Sequence, residues 1–317
     1  MQRRNFLTAT VAGVLTAMPT ASSLAQQDHQ RQNAIPVGDK RLEAKLRFSS
    51  QLRGWIPGKT DVEKMAQLKK WGFEAVEVGR DAIDKPHEVK KKADDAGLKV
   101  SVITGGVGDG KTCSADPKEA QEGRDHLKKS LESAAILECN GVVFVPARRF
   151  TQTTREIRAT LIDIDIKTRQ IKGGFLKEMG DFAASLNVNI IFEPLHRGET
   201  AFLHQVAEAA SICRDSQSEG VKTLGDFFHM YYEEVCDMAA FIAGGQYVKH
   251  VHFGAGNQRV LPGQIQDHSF IAGFRGLKYI GYNDFMSFEC GCLGGNDKGD
   301  IEVPKTLEFL KQSWEEA

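Results

Sequence analysis

Residues 189–193 read Asn-Ile-Ile-Phe-Glu, so a short apolar run ends on a single carboxylate. The pattern recurs downstream, where similar runs end near Asp226, His252 and Glu289. Along most of the chain, such runs alternate with longer amphipathic segments. This alternation is typical of βαβα units that build a parallel sheet with helical crossovers.

The number of repeats selects the architecture. We predict strands near 46–50, 75–78, 100–104, 142–145, 189–192, 222–224, 248–251 and 285–288. Helices are predicted near 61–71, 86–96, 117–137, 176–186, 203–213, 232–242 and 304–314. Eight parallel strands with outer helices close into a (β/α)8 TIM barrel, an α/β fold. A doubly wound sheet usually has a glycine-rich phosphate loop after its first strand, and no G-x-G-x-x-G pattern follows that strand here.

Two loops after predicted strands lie on the side of the barrel that carries active sites. Residues 105–110 read Gly-Gly-Val-Gly-Asp-Gly and predict a flexible loop over the barrel mouth. Residues 146–168 form a longer insertion that contains Arg148, Arg149, Arg155 and Arg158. This insertion either gates the substrate or is a solvated surface helix, and the sequence leaves both interpretations open.

The overall charge argues against a polyanionic partner. The chain has 317 residues, with 41 Lys and Arg against 42 Asp and Glu, which gives a net charge of -1. Nucleic acid is therefore not an expected ligand. Hydrophobic residues make up 41% of the chain, enough for the large core of a globular enzyme.

The N-terminus resembles a twin-arginine export signal. Arg3-Arg4-Asn5-Phe6-Leu7 precedes a modestly apolar stretch, 8–18, and the small residues Ser23 and Ala25 follow. We predict a signal peptide at 1–25, a polar linker at 26–40 and a barrel domain at 41–317. The apolar stretch is too short to span a membrane in the mature protein, so the predicted location is the periplasm or another exported site. The alternative is a frayed N-terminus of a cytosolic protein.

Four polar residues follow or end four successive predicted strands: Glu193, Asp226, His252 and Glu289. The carboxyl ends of barrel strands meet at one mouth, so these side chains are expected to lie together. Three carboxylates and one imidazole suit Mn2+, Mg2+ or Co2+ better than a thiolate-rich zinc site does. Each acid alone has an ordinary alternative as a helix cap or an ion-pair partner.

Four phrases carry a family resemblance: Phe192-Glu193-Pro194-Leu195-His196-Arg197-Gly198-Glu199-Thr200, Gly225-Asp226-Phe227-Phe228-His229, His250-Val251-His252-Phe253-Gly254 and Ser287-Phe288-Glu289-Cys290. From about Lys45 onward the chain resembles the sugar phosphate isomerase/epimerase superfamily, the xylose isomerase-like barrels that include tagatose and psicose 3-epimerases. The resemblance implies that Glu193, Asp226, His252 and Glu289 bind a divalent metal, with Mn2+ as the first expectation and Mg2+ or Co2+ as alternatives. It also implies that Glu193 and Glu289 act as the acid/base pair.

The resemblance also suggests substrate contacts. His229 stands where similar enzymes contact substrate oxygens, while Arg197 and Glu199 match a Glu-x-x-Asn-Arg-x-Glu phrase in which His196 replaces the common asparagine. Similar enzymes usually have a substrate-binding arginine six residues after the metal histidine, a position that Gln258 occupies here, and Arg259 follows it. Either the loop 254–263 absorbs one inserted residue and Arg259 takes this role, or the role is lost. Trp55 is either a sugar platform or part of the core. Glu77 and His250 are expected to face the barrel mouth, with His250 as a hydrogen-bonded support for the metal ligands.

We therefore expect a metal-dependent isomerase or epimerase that acts on a non-phosphorylated ketose or related sugar through an enediolate. The export signal favours an unphosphorylated substrate, because phosphorylated sugars are cytoplasmic. The alternative enzyme is a 3-keto-glycoside lyase or hydratase that uses the same metal and glutamates for β-elimination. A non-catalytic binding protein is the alternative from another class, although none of the four ligands is missing. The resemblance also implies a homo-oligomer, because superfamily members are often dimers or tetramers.

Overall fold

The computed structural model describes residues 43–105, 111–114, 116–146, 154–162, 164–165, 170–171, 173–266 and 268–317. The predicted signal peptide and linker lie outside the described residues, as do 106–110 of the glycine loop and Arg148 and Arg149 of the insertion. Eight strands form the central sheet: β1 Phe48–Ser50, β2 Ala75–Val78, β3 Lys99–Ile103, β4 Gly141–Phe144, β5 Asn189–Phe192, β6 Val221–Asp226, β7 Val248–Phe253 and β8 Met286–Phe288.

The strands pair in parallel around a ring. From β2 to β8 each strand pairs with the next, and β8 then pairs with β1. A single parallel bridge between Gln51 and Glu77 joins β1 to β2, and the Glu74 N–H donates to the Phe48 carbonyl at 3.0 Å. These contacts nearly close the sheet, so the predicted (β/α)8 TIM barrel is confirmed.

Helices lie between the strands. They are α1 Asp61–Lys70, α2 Asp81–Asp84, α3 Pro86–Asp95, α4 Pro117–Ile136, α5 Thr154–Leu161, α6 Gly174–Ser185, α7 Val206–Asp215, α8 Phe227–Glu233, α9 Asp237–Gly244, α10 Ile271–Tyr279 and α11 Gly299–Glu316. A capping box at Thr60 and Glu63 starts α1, and the Asp116 side chain caps α4. No described helix combines the length and the apolar character that crossing a bilayer requires.

The insertion after β4 is partly described. It contains α5 and a short antiparallel pair, Ile164–Asp165 with Gln170–Ile171. The Arg158 side chain of α5 binds Asp215 at the end of α7. At least this part of the insertion is therefore attached to the barrel wall by an ion pair.

One predicted helix was wrong. Residues 232–242 do not form a single helix, because α8 ends at Glu233 and α9 starts at Asp237. Glu234 and Cys236 have extended backbone, and the Glu234 carboxylate accepts the N–H of Val206 at the start of α7. The break lets α8 follow the strand end closely while α9 packs against the outer wall.

The barrel interior is separate from the main core between sheet and helices. Val102, Val143, Ile191 and Leu224, from β3 to β6, form a small buried cluster of their own. On the opposite side, Glu77 of β2 contacts His250 of β7. Because β1 and β8 separate those two strands in the sheet, this contact crosses the inside of the barrel.

Candidate active site

The four predicted ligands converge at the carboxyl ends of β5 to β8. Glu193 and Glu289 directly follow β5 and β8, Asp226 ends β6, and His252 lies one residue before the end of β7. One potential ligand atom from each side chain lies within 4.8 Å of the others. Glu193, Asp226 and His252 are buried, with at most 8% of each residue exposed.

His252 is at the centre of this cluster. Its Nδ1 lies 3.1 Å from Glu193 Oε1, 2.8 Å from Glu289 Oε2 and 3.9 Å from Asp226 Oδ2. A single imidazole nitrogen thus faces three carboxylates. In the absence of a cation, such a group of buried acids is held together only by nearby positive charge.

Two arginines supply positive charge on the solvent side. Arg259 Nη2 lies 2.9 Å from both Asp226 Oδ2 and Glu289 Oε2, and its guanidinium lies over the Phe228 ring. Arg259 follows a 3-10 turn and has a left-handed backbone with φ of 48°. From this turn the Arg259 side chain reaches the centre. Arg53, which the sequence did not indicate, places Nη2 3.5 Å from Glu289 Oε1.

The two glutamates have opposite pKa shifts. Burial raises the pKa of Glu193, and the charge of Glu289 raises it further. Burial also acts on Glu289, but the positive charges of His252 and Arg259 outweigh it and lower the pKa to about 2. Burial raises the pKa of Asp226 to about 6. The surroundings therefore move the pKa values of the two glutamates apart, with that of Glu193 raised and that of Glu289 lowered.

The donor set fits a divalent metal. Glu289 Oε2 is buried and, among the described residues, lacks a hydrogen bond of acceptable geometry despite its short distances to His252 and Arg259. A cation would satisfy this oxygen and offset the negative charge of three neighbouring carboxylates. Three oxygens and one nitrogen are the ligands expected for Mn2+, Mg2+ or Co2+.

His229 presents an N–H group to the centre. Its Nδ1 accepts the backbone N–H of His196 at 3.2 Å, so the ring proton lies on Nε2, which is 3.5 Å from Asp226 Oδ2. Burial lowers the pKa of His229 to about 4, and the ring is neutral at neutral pH. His196 stacks on this ring and on Tyr232. The structure therefore brings His229 and His196 together beside the candidate metal ligands.

The remaining predicted substrate contacts divide into two groups. Glu199 Oε1 lies 3.7 Å from His196 Nδ1, so Glu199 borders the same side of the site. The Arg197 side chain is 76% exposed, and its Nε and Nη2 donate to the Glu233 carboxylate. The backbone N–H of Arg197 donates to the same carboxylate. Arg197 thus fastens the loop after β5 to α8, a contact that the sequence did not reveal.

Trp55 belongs to the core. Only 1% of the residue is exposed, and the ring lies near Trp71 and against the edge of Phe288. Its indole N–H donates to the Cys290 carbonyl at 2.9 Å. Of the two roles expected for Trp55, the structure therefore favours packing behind the loop that follows β8, and the sugar platform has no exposed ring face.

A cleft of about 280 Å³ adjoins the centre at the ends of β1 to β3. Its polar lining includes Gln51, Arg53, Glu77, Asp81 and Lys92. Arg53 and Glu77 connect the cleft with the candidate metal ligands, because Arg53 contacts Glu289 and Glu77 contacts His252. The candidate active site thus extends from the His196 side of the mouth to this cleft.

Comparison with known proteins identifies the family to which the chain belongs. The Xylose isomerase-like TIM barrel model matches residues 65–313, well over half of the chain. A D-psicose 3-epimerase from Agrobacterium fabrum is 26% identical over 255 residues, 78% of this chain and 84% of the relative. A 3-dehydro-D-guloside 4-epimerase from Escherichia coli is 26% identical over 240 residues, 75% of this chain and 90% of the relative. The crystal structure of an E. coli 3-keto-D-glucoside 4-epimerase shares the fold, with a TM-score of 0.70 at 22% identity, and covers 84% of this chain and 100% of its own. The chain belongs to the xylose isomerase-like TIM barrel family.

Proposed function

We propose that the protein is a metal-dependent epimerase or isomerase of a non-phosphorylated keto-sugar. The observation that carries the proposal is the convergence of Glu193 and Glu289 on His252 Nδ1, at 3.1 and 2.8 Å. The two glutamates follow β5 and β8, and β6 and β7 lie between these strands. Two carboxylates from separate strands, beside a cation site, are the groups needed to remove and return a proton next to a carbonyl.

Glu289 and Glu193 divide the proton transfers. The low pKa of Glu289 keeps this carboxylate ionised. It therefore removes the proton from the hydroxyl-bearing carbon next to the carbonyl. The electron pair moves into a carbon–carbon double bond and gives an enediolate. Glu193, the carboxyl group whose pKa is raised, returns a proton to that carbon from its own side or to the neighbouring carbon. Return to the same carbon inverts it. Return to the neighbouring carbon, with transfer of the hydroxyl proton to the former carbonyl oxygen, isomerises the sugar.

The metal would be held by Glu193, Asp226, His252 and Glu289. When bound, a divalent cation such as Mn2+, Mg2+ or Co2+ acidifies the C–H and stabilises the negative charge of the enediolate. His229 would donate its Nε2–H to a substrate oxygen, and the Arg259 guanidinium would balance developing negative charge. Glu199 would accept from a hydroxyl on the same side.

The relatives support this choice of chemistry. Both curated relatives are sugar epimerases, one of psicose and one of a 3-dehydro-guloside. Inversion next to a carbonyl is the reaction that two proton-transferring carboxylates and one cation perform. The proposal extends that shared chemistry to this chain and leaves its sugar to be identified.

A second candidate is cleavage of a 3-keto-glycoside. The cleft beside Arg53 and Glu77 has room for a group attached to the reacting ring. In this reaction a carboxylate removes the C2 proton, the new double bond forms between C1 and C2, and the C1–O bond breaks. The aglycone leaves with that electron pair and takes up a proton. The same centre would then act as a lyase. Addition of water across the new C1–C2 double bond would be the corresponding hydratase reaction.

Export and assembly are further parts of the proposal. The pattern in residues 3–25 supports export by the twin-arginine pathway and removal of the first 25 residues. Cell fractionation, followed by mass spectrometry of the mature N-terminus, tests this. A homo-oligomer is proposed from the family resemblance, and light scattering of the purified protein measures the assembly.

Product analysis tests the reaction. The Mn2+-loaded protein is incubated with a panel of free ketoses and 3-keto-glycosides, and products are identified by NMR. A C3 or C4 epimer, or an aldose, with an intact carbon skeleton supports the epimerase or isomerase. Release of the aglycone selects the lyase, and a panel without any turnover by the metal-loaded protein would refute both enzymes for these substrate classes.

A further inference from the structure

Glu77 connects the metal ligand His252 with a second buried histidine. Its Oε2 lies 3.1 Å from His252 Nε2 and 3.0 Å from His250 Nε2. Its other oxygen, Oε1, accepts the Gln51 side-chain N–H at 2.7 Å. The Glu77 and His250 side chains are fully buried, so this group is shielded from water.

The geometry assigns a proton to the nitrogen of His252 that faces Glu77. A carboxylate can only accept hydrogen bonds, so the imidazole nitrogen that faces Glu77 must donate. His252 Nε2 therefore bears the hydrogen. By the same rule the opposite nitrogen, Nδ1, donates to Glu193 at 3.1 Å and also faces Glu289. A metal would therefore displace the Nδ1 proton, while Glu77 keeps the Nε2 proton in place.

We propose that Glu77 is a positioning residue that orients His252 and holds it in the metal-binding tautomer. The inference rests on the metal centre of the proposed function and assigns to it a supporting residue on the opposite side of the barrel. Glu77 contacts His252 at Nε2, the nitrogen opposite the one that faces the other three candidate ligands. It acts through His252, in the way that a carboxylate commonly supports a metal-binding histidine.

His250 has a different role from His252. Its Nδ1 is buried and has no hydrogen-bond partner among the described residues. Its Nε2 binds the Glu77 carboxylate. His250 therefore helps to fix the Glu77 carboxylate, whereas Glu77 fixes His252. This order predicts different results for substitutions at the two positions.

The decisive variant is Glu77→Gln. The glutamine amide has one donor and one acceptor end, while its neighbours are Gln51 and two imidazoles that all donate. One of these hydrogen bonds is lost whichever way the amide turns, and an N–H facing His252 forces the ring proton onto Nδ1. We expect Mn2+ affinity, measured by electron paramagnetic resonance titration of the free protein, to fall about 10- to 100-fold.

Three further variants separate positioning from general structure. Glu74→Gln makes the same chemical change just before β2, where the carboxylate pairs with Arg47 at the surface, and should leave Mn2+ affinity unchanged. His250→Asn should weaken Mn2+ binding by less than about tenfold, because Glu77 still faces His252. Glu77→Asp keeps an acceptor that is one methylene shorter, and its Mn2+ affinity should lie between those of the wild type and Glu77→Gln.

Activity at increasing Mn2+ gives a readout that a purely structural role would not change. Excess Mn2+ should restore much of kcat in Glu77→Gln, because the residues that contact the substrate remain. A folded Glu77→Gln protein that binds Mn2+ as tightly as wild type would overturn the inference. If Glu77→Gln does not fold, Glu77→Asp decides, and wild-type Mn2+ affinity in that variant would also overturn it. Failure of the wild-type protein to bind Mn2+ would instead refute the metal in the proposed function.

Discussion

The barrel interior has an apolar side and a polar side. On β3 to β6, Val102, Val143, Ile191 and Leu224 fill the space with hydrocarbon. On β7, β8, β1 and β2 the buried residues include His250, Ser287, Ser49 and Glu77. The apolar side gains stability from burial, whereas the polar side requires hydrogen bonds to offset desolvation. The comparison indicates that the polar side is maintained for the centre above it, where Glu77 contacts His252.

Loss of a centre residue should have the largest effect. In Glu289→Gln a proton acceptor and part of the ligand charge are removed, so kcat should fall about 10²- to 10⁴-fold, by steady-state kinetics at saturating Mn2+. Glu308→Gln, an exposed change on α11, is the matched control and should retain wild-type kcat. Turnover near the wild-type value in Glu289→Gln would contradict the assignment of the acid/base pair.

Loss of packing on the apolar side should lower the stability of the protein. Ile191→Ala leaves a cavity in the barrel interior and should reduce the free energy of unfolding by about 2–5 kcal/mol, measured by urea denaturation. The four ligands remain in place, so the folded variant should still bind Mn2+. A variant of unchanged stability would show that this cluster does not support the barrel.

Metal binding at the strand ends should increase the stability of the folded protein. Mn2+ at 100 times its Kd should raise the free energy of unfolding by about 2.7 kcal/mol, because the unfolded chain has no assembled site. Ile191→Ala should show the same increase, whereas Glu289→Gln should show less at equal Mn2+. An unfolding curve that is insensitive to Mn2+ would argue against a metal centre at the strand ends.

The smallest effect is expected at Ser287. Its hydroxyl is buried and has no hydrogen-bond partner among the described residues. An unsatisfied buried hydroxyl costs about 1–3 kcal/mol, so Ser287→Ala should leave the free energy of unfolding unchanged or increase it slightly. The same urea measurement checks this. A clear loss of stability would show that the hydroxyl has a partner, such as an internal water.

Strand positions were predictable because each strand is a short apolar run with clear ends. Helix α10, Ile271–Tyr279, was not predicted, since Gly273 and Gly276 weaken the helical pattern. In the structure these glycines permit close packing: a Cβ on Gly273 would lie 2.4 Å from the Phe227 ring, and one on Gly276 would lie 2.8 Å from the Met238 carbonyl oxygen. Helix propensity alone does not predict these packing contacts.

The convergence of Glu193, Asp226, His252 and Glu289 was predictable, because they lie at strand ends and the carboxyl ends of barrel strands meet at one mouth. The support around them was harder to see. Glu77 and His250 are 173 residues apart and meet only because the barrel closes. Arg53 lies in an irregular segment after β1, where no motif marks it. Arg259 reaches the centre through a left-handed backbone that spacing alone does not predict.

Hydrogen exchange at the reacting carbon tests the central claim most directly. The Mn2+-loaded protein, Glu289→Gln and Glu308→Gln are each incubated in D2O with the keto-sugar that wild type converts, and deuterium is followed by NMR. We predict that wild type and Glu308→Gln place deuterium on the carbon beside the carbonyl, and that Glu289→Gln does so far more slowly. Conversion of the sugar by wild type with no deuterium at that carbon, or equal exchange in Glu289→Gln, would contradict proton transfer by the Glu193 and Glu289 pair.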